Sequence, residues 1–474
     1  MRRLTSFAVI GAMLVGPNAA GQSFDPVEAV EAQSERTSRV AKQIWDYAEL
    51  GYLETKSSGL LKNELAGEGF SVREGVAGIP TAFVGEWGEG GPVIALLAEY
   101  DALPGINQSA SPLRELIDGK HAAHACGHNL FAAGSLAAAI AIKQWLEATG
   151  TPGRVRLYGT PAEEGGSGKV YMVREGLFDD VDFTINWHPN DVNSAAARTT
   201  LANRSAKFRF SGVSAHAAGA PERARSALDG VEAMNMMVNL MREHTSMNTR
   251  IHYVITKGGL APNVVPDAAE VFYYVRHSDA DEVKALWERL EATARGAALG
   301  TGTTVEWEII HGNNPILVNE TLQKVLDAKL REMGGFDYTE DERAWAAKLS
   351  ESLGSAALPL DETTRVQPYK ISLGYGSTDV GDVSWATPIV SLGAATYVPG
   401  TSGHSWQSAA ASGHSIGVKG ASYAAKAMAV MAVELFTNAP LRKQARAEFD
   451  ASRGPDYVYE SLLGDRDPPL DYRK

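Results

Sequence analysis

Four short clusters in this 474-residue chain carry side chains able to hold a metal ion or move a proton. The first is His121-Ala-Ala-His124-Ala-Cys126-Gly127-His128-Asn129. Cys126 and His128 are two residues apart and would not share a face of a helix. Gly127 permits the tight bend that turns both toward one point. A helix expected to begin near Asn129 offers N-terminal amides, which favour a neighbouring thiolate. Thiolate and imidazole together suit zinc or a similar divalent ion. Alone, the triplet fits a buried cysteine beside a solvated histidine equally well.

The second cluster, Thr160-Pro161-Ala162-Glu163-Glu164-Gly165-Gly166, follows an expected strand. Loops at strand carboxyl ends are where open α/β sheets bind ligands. Adjacent carboxylates in extended backbone point opposite ways, so one can ligate metal while the other holds water. The third cluster, Asn186-Trp187-His188-Pro189, also follows an apolar strand. The fourth is Gly403-His404-Ser405-Trp406-Gln407; Gly413-His414-Ser415 lies ten residues on, and local sequence does not separate the two histidines. Together the clusters supply one thiolate, three imidazoles and two carboxylates, enough for two ions with a shared ligand and a spare base.

The elements that must position these residues alternate. Helices are expected over 27–50, 56–65 and 129–149, and strands over 81–87, 92–99, 155–160 and 181–187, which indicates an α/β sheet layered with helices. From residue 201 the pattern becomes strand 206–213, helix 224–243, strands 250–257 and 268–277, helix 280–297 and strand 303–311. That is the ferredoxin-like β-α-β-β-α-β order, read as a small domain inserted into the larger one. The expected division is a signal over 1–21, a catalytic domain over 22–200 and 315–440, the insert over 201–314, and a loose polar tail over 441–474.

A net charge of −13 argues against non-specific binding to nucleic acid or anionic membrane. Hydrophobic residues at 44% and charged residues at 21% are a globular balance. Arg2 and Arg3, an apolar stretch over 4–15 and the small residues Ala19-Ala20-Gly21 predict an export signal and a periplasmic location. With one cysteine there is no disulfide framework.

His124-Ala-Cys126-Gly-His128, Pro161-Ala-Glu163-Glu164-Gly-Gly and His188 resemble the metallopeptidase family of aminoacylase, the indole-acetyl-amino-acid hydrolases and p-aminobenzoyl-glutamate hydrolase. Three further signals are most similar to the subgroup of the p-aminobenzoyl-glutamate hydrolase B subunit and the Xaa-Arg dipeptidases. They are His128-Asn129-Leu130, Gly376-Ser-Thr-Asp379-Val-Gly-Asp382-Val-Ser-Trp385 and His404-Ser-Trp-Gln. The resemblance implies a zinc-peptidase-like catalytic domain with an inserted lid or dimerisation domain, and two divalent ions, Zn or Mn. It implies Cys126, bridging, with His128, Glu164, His188 and His404 as metal ligands, and Glu163 as general base. It favours His404 over His414. A His-x-Asp element of other branches reads Glu99-Tyr100-Asp101 here, so Asp101, like Asp379, supports the ligands from behind. In the insert, Ser214-Ala-His216-Ala resembles the segment whose histidine reaches the active site, often from a partner subunit. Asn263 and Arg276 resemble the residues that hold the substrate carboxylate.

The implied chemistry is hydrolysis of the amide of an N-acyl amino acid or dipeptide by a homodimer joined through the lid. Glu163 would deprotonate water and reprotonate the leaving amine, with His216 stabilising the oxyanion. Two other readings compete: a non-catalytic homologous subunit of a hetero-oligomeric hydrolase, and a general zinc aminopeptidase, which Arg276 argues against.

Overall fold

The computed structural model describes residues 24–195 and 197–473, so the expected export segment lies outside the described residues. Five strands of the main sheet precede the insert: β1 (Ser71–Glu74), β2 (Phe83–Glu89), β3 (Val93–Ala98), β4 (Gly153–Gly159) and β5 (Phe183–Asn190). With β10 (Ile389–Ala395) they form a mixed sheet in the order β1-β2-β4-β3-β5-β10. β4, β3, β5 and β10 run parallel, while β1 and β2 are antiparallel additions at one edge. The carboxyl ends of β3, β4 and β5 therefore open on one side, and there the chain places Glu99, Thr160 and His188.

Helices α1 (Pro26–Glu31), α2 (Ser34–Tyr47), α3 (Thr55–Gly67), α4 (His128–Thr149) and α7 (Ser415–Thr437) pack around the sheet. α4 is Ala-rich and buried on nearly every face, because it lies between the sheet and α2 and α7. Gly134 allows this: a Cβ there would sit 2.9 Å from both Trp187 and the Ala421 carbonyl. The helix expected over 27–50 is two helices instead. The buried Gln33 amide at the break donates to the Ala29 and Ala137 carbonyls, tying the turn to α4.

The insert contains β6 (Ala202–Ser211), α5 (Ala227–Arg242), β7 (Arg250–Lys257), β8 (Ala268–His277), α6 (Ala280–Thr301) and β9 (Thr304–Asn313). Its strands form an antiparallel sheet in the order β7-β8-β6-β9 with its own apolar core. β8 alternates strictly, burying Val271, Tyr273 and Val275 toward the helices and leaving Tyr274 and Arg276 on the open face. Ser226 and Asp279 cap the two helices by accepting from the Asp229 and Asp281 amides.

The segment read as a loose tail differs most. Residues Ala439–Arg453 form helix α8, with Leu441, Ala445 and Phe449 buried on one face. Residues 454–473 then run back across the molecule, with Leu462 buried in the core of the insert and Leu463 in the core of the larger unit. Charged and proline residues disguise this segment in sequence, because only two or three apolar side chains anchor it. Among the described residues no helix is long and apolar enough to cross a membrane.

Candidate metal centre

Cys126 lies in the turn before α4, Gly127 takes φ 72°, and His128 is the first helical residue. This bend brings Cys126 and His128 together with His188 from β5, and the Cys126 thiol lies 3.5 Å from His188 Nε2. Cys126 also groups with Glu164 and His404, so it is shared between two sets of three ligand atoms, each within 4.8 Å of one another. Cys126 is the one residue common to both of these sets.

The free nitrogens agree. His128 Nδ1 faces Asp101 Oδ1 at 2.9 Å and His188 Nδ1 faces its neighbour's carbonyl at 2.8 Å, leaving both Nε2 atoms for a ligand. A carboxylate behind a ligating imidazole fixes its orientation and raises its basicity. His128 Nε2, Glu164 Oε1 and both Glu99 carboxylate oxygens are buried without a well-formed hydrogen bond, and their near neighbours are one another and two cationic groups: His128 Nε2 lies 3.0 Å from Glu99 Oε2, Lys169 Nζ 2.7 Å from Glu99 Oε1 and His404 Nε2 3.1 Å from Glu164 Oε1. Buried polar atoms left in this state leave lone pairs that an ion can take up. The thiolate, imidazoles and carboxylates present fit two divalent ions of the zinc or manganese type.

His404 adopts φ 60°, and its amide donates to the Ala125 carbonyl, which holds it over the Cys126 turn. His414 instead caps α7 and stacks on Trp345 at 4.2 Å. His124 points away: its Nε2 donates to the Ile44 carbonyl of α2 at 3.0 Å, and burial pushes its pKa down to about 3.

Glu163 and Glu164 sit in a contorted turn. Ala162 and Ser167 take positive φ of 57°, Gly165 takes 92°, and Glu164 has φ −71° and ψ 67°. Such backbone persists only where its surroundings over-determine it. The Ala162 amide donates to Glu54, the Glu164 amide to Asp101 at 2.9 Å, and the Tyr52 hydroxyl to the Gly166 carbonyl. Glu163 groups with Glu99 and His128 rather than with Cys126. Burial, with the neighbouring Glu99, Glu164 and Asp379 charges, pushes its carboxyl well above the usual range. Burial alone would raise the Cys126 thiol, but His128 and His188 bring it well below its ordinary value.

Two partners escaped the sequence reading. Glu99 lies among the ligand atoms, and buried Lys169 stands 2.7 Å from both Glu99 and Asp379. The only signal was a lysine amid the apolar run after Gly168.

His216 and Asn263 lie side by side on two adjoining exposed loops of the insert, one after β6 and one after β7, where the Ala217 amide donates to the Asn263 carbonyl. Arg276 is elsewhere. It pairs with Arg250 across β8 and β7, while Asn263 follows the opposite end of β7, so the expected joint carboxylate clamp does not exist within one chain. The eight residues of β7 separate the two. Arg276 instead lines a cavity of about 380 Å³ with Leu201, Arg250, His252 and Tyr375.

The profile of peptidase family M20/M25/M40 matches residues 95–354, which include Glu99, Cys126, His128, Glu163, Glu164 and His188. The chain belongs to peptidase family M20/M25/M40. The B subunit of p-aminobenzoyl-glutamate hydrolase from Escherichia coli is 40% identical over 449 residues, covering 89% of this chain and 93% of that protein. The Xaa-Arg dipeptidase of Mus musculus is 32% identical over 327 residues, 66% of this chain and 72% of its own length. A dinuclear metal-binding M20 peptidase of Bacillus subtilis shares the fold, with a TM-score of 0.55 at 18% identity, over 85% of this chain and 99% of that one.

Proposed function

We propose that this M20 chain is a two-metal amidohydrolase that cleaves the amide of an N-acyl amino acid or dipeptide. The observation that carries this is Cys126 shared between His128 and His188 on one side and Glu164 and His404 on the other, with Glu163 adjacent. Divalent ions held there supply the Lewis acidity that brings a water pKa toward neutrality. Glu163, whose carboxyl burial and the neighbouring charges hold well above the usual range, would take the proton from water as it attacks the amide carbon and pass it to the leaving amine nitrogen. Asp101 holds the His128 ring through Nδ1 and the Glu164 amide through its other oxygen.

The substrate bears a carboxylate. Arg276 and Arg250 stand directly opposite each other, a destabilising arrangement unless an anion joins them. Both line one cavity with His252, and no described carboxylate forms an ion pair with either arginine. This cavity disfavours the cationic side chain of an Xaa-Arg dipeptide and suits the amide of an acidic amino acid. Its place at the active site is supported by Tyr375, four residues before Asp379 beneath the metal centre.

The insert serves as a ferredoxin-like lid and as the contact of a homodimer. β7 is an edge strand, and Tyr253, Ile255, Met236 and Leu240 expose apolar surface beside it. A dimer would carry His216 and Asn263 to the partner's metal centre, where His216 Nε2 is free because Nδ1 accepts from the Ala218 and Gly219 amides. The Escherichia coli relative is one of two different homologous subunits, which favours a second assembly of the same kind. Export to the periplasm remains part of this proposal.

The test is the purified, metal-loaded chain assayed against N-acyl glutamates, other N-acyl amino acids and dipeptides, with free amine as readout. Cleavage is expected, fastest for acyl-glutamates. No cleavage without a second homologous subunit would favour the auxiliary-subunit reading.

A further inference from the structure

The last twenty described residues touch both ends of the machinery. Leaving α8, the chain stacks Tyr457 on Trp385 at 5.0 Å, and the Tyr459 hydroxyl donates to Asp382, which also accepts from Asn314 at the exit of the insert. Glu460 accepts from Lys284 of α6 at 2.7 Å. The adjacent Leu462 and Leu463 enter the two separate cores, and a Cβ at Gly312 would lie 2.5 Å from the Leu462 backbone. Arg466 then donates to the Ile310 carbonyl of β9, while Arg174 donates to the Arg466 carbonyl at 2.7 Å.

The segment ends on the metal centre. The Tyr472 hydroxyl and the Arg473 guanidinium donate to the Glu164 carbonyl at 3.1 and 2.7 Å. The Tyr472 hydroxyl fills a slot that exists only because residue 51 is glycine, since a Cβ there would lie 2.3 Å from it. Tyr472 also meets Tyr52 edge to face at 5.6 Å, and Tyr52 holds the Gly166 carbonyl. The Glu164 peptide is thus gripped from both sides: its N–H by Asp101, its C=O by Tyr472 and Arg473. With ψ 67° at Glu164 and φ 92° at Gly165, the intervening peptide plane has no helix or strand to set its orientation.

We infer that residues 454–473 form a strap that ties the exit of the insert to the Glu163-Glu164 turn, with Tyr472 and Arg473 as positioning residues for Glu164. This rests on the reading of Glu164 as a metal ligand. Displacement of the insert relative to the sheet pulls on Leu462 and Arg466, and the strap carries that displacement to Glu164.

The test is the full chain carrying Tyr472→Phe with Arg473→Gln, compared with Arg473→Lys alone and with a chain ending after Gly464. Zinc affinity is measured for each ion by competition with a chelator, alongside kcat, KM and thermal unfolding. Loss of a partner behind a ligand typically costs about tenfold or more in metal affinity. The double variant is expected to lose that much at one ion only, with a lower kcat, KM within about twofold and an unchanged unfolding temperature, whereas Arg473→Lys alone is expected to keep most of the parent's affinity. Zinc affinities and kcat within about twofold of the parent overturn the strap. If the parent binds two ions but cleaves no amide while the double variant weakens one ion, the proposed function falls and the strap stands. A parent that binds no second ion overturns both. If the shortened chain does not fold, the double variant decides.

Discussion

Beneath the metal centre, Lys169 lies 2.7 Å from both Glu99 and Asp379, and all three are buried. On the open face of the insert's sheet, Arg250 and Arg276 stand opposite each other around a cavity, with His252 beside them and no carboxylate in an ion pair. One region uses a cation inside the fold to hold its acids in place, and still has more acid than lysine. The other offers its arginines backbone carbonyls and tyrosine rings but, among the described residues, no ion-paired carboxylate, in a chain whose net charge is −13. Charge balanced internally is architecture. Charge left over in either region is what a ligand would answer: divalent ions at the acidic cluster and, on the proposed reading, a carboxylate between the arginines.

The largest effect should come from breaking the balanced side. Lys169→Met leaves two buried carboxylates uncompensated, and loss of one partner of a buried pair costs about 3–5 kcal/mol, read by denaturant unfolding. A change below about 1 kcal/mol would mean that Glu99 and Asp379 are neutral in the folded chain. Next, Glu163→Gln should keep both ions while turnover falls by about two decades or more. Near-normal turnover would remove Glu163 from the role of base.

His311 belongs to the arginine side of the comparison, where burial and then the Arg276 charge push its pKa down to about 4. The folded chain refuses a proton that the unfolded chain accepts below its ordinary value of 6.5. This contribution is therefore full above pH 6.5 and is lost as pH falls toward 4. Between pH 6.5 and 5 the loss should be about 2 kcal/mol, at 1.36 kcal/mol per unit. Arg276→Gln should flatten that slope in an unfolding series across pH. The same variant should raise KM for a carboxylate substrate about tenfold, near 1.4 kcal/mol, with stability at neutral pH unchanged or slightly higher as the like-charge pair is relieved. An unchanged KM would remove Arg276 from the substrate site.

Much of this arrangement was legible in the sequence because it depends on local spacing. Gly127 between a thiol and an imidazole and the period-two pattern of residues 268–277 each state their geometry within a few residues, whereas the doubled Glu, expected in extended backbone, sits in a contorted turn held by distant partners. The rest depends on distant partners. His404 and His414 are alike locally, and what separates them is the Ala125 carbonyl in one case and the Trp345 ring in the other. Glu99 and Lys169 read as ordinary charges until β3 and the turn after β4 bring them together. Asn263 and Arg276 both looked like carboxylate ligands, and only strand register places them at opposite ends of β7.

Cys126 is the only cysteine in the chain, and it is the residue both ligand sets share. If both proposed ion sites share it, oxidation of this one sulfur to a sulfenic acid would disable them together. No second thiol in the molecule could resolve the sulfenic acid as an internal disulfide. Recovery must then come from an external reductant, while an ion already in place shields the sulfur. Metal supply thereby doubles as oxidative protection, and uptake of one equivalent of a thiol reagent per chain would count the fraction of molecules left unguarded.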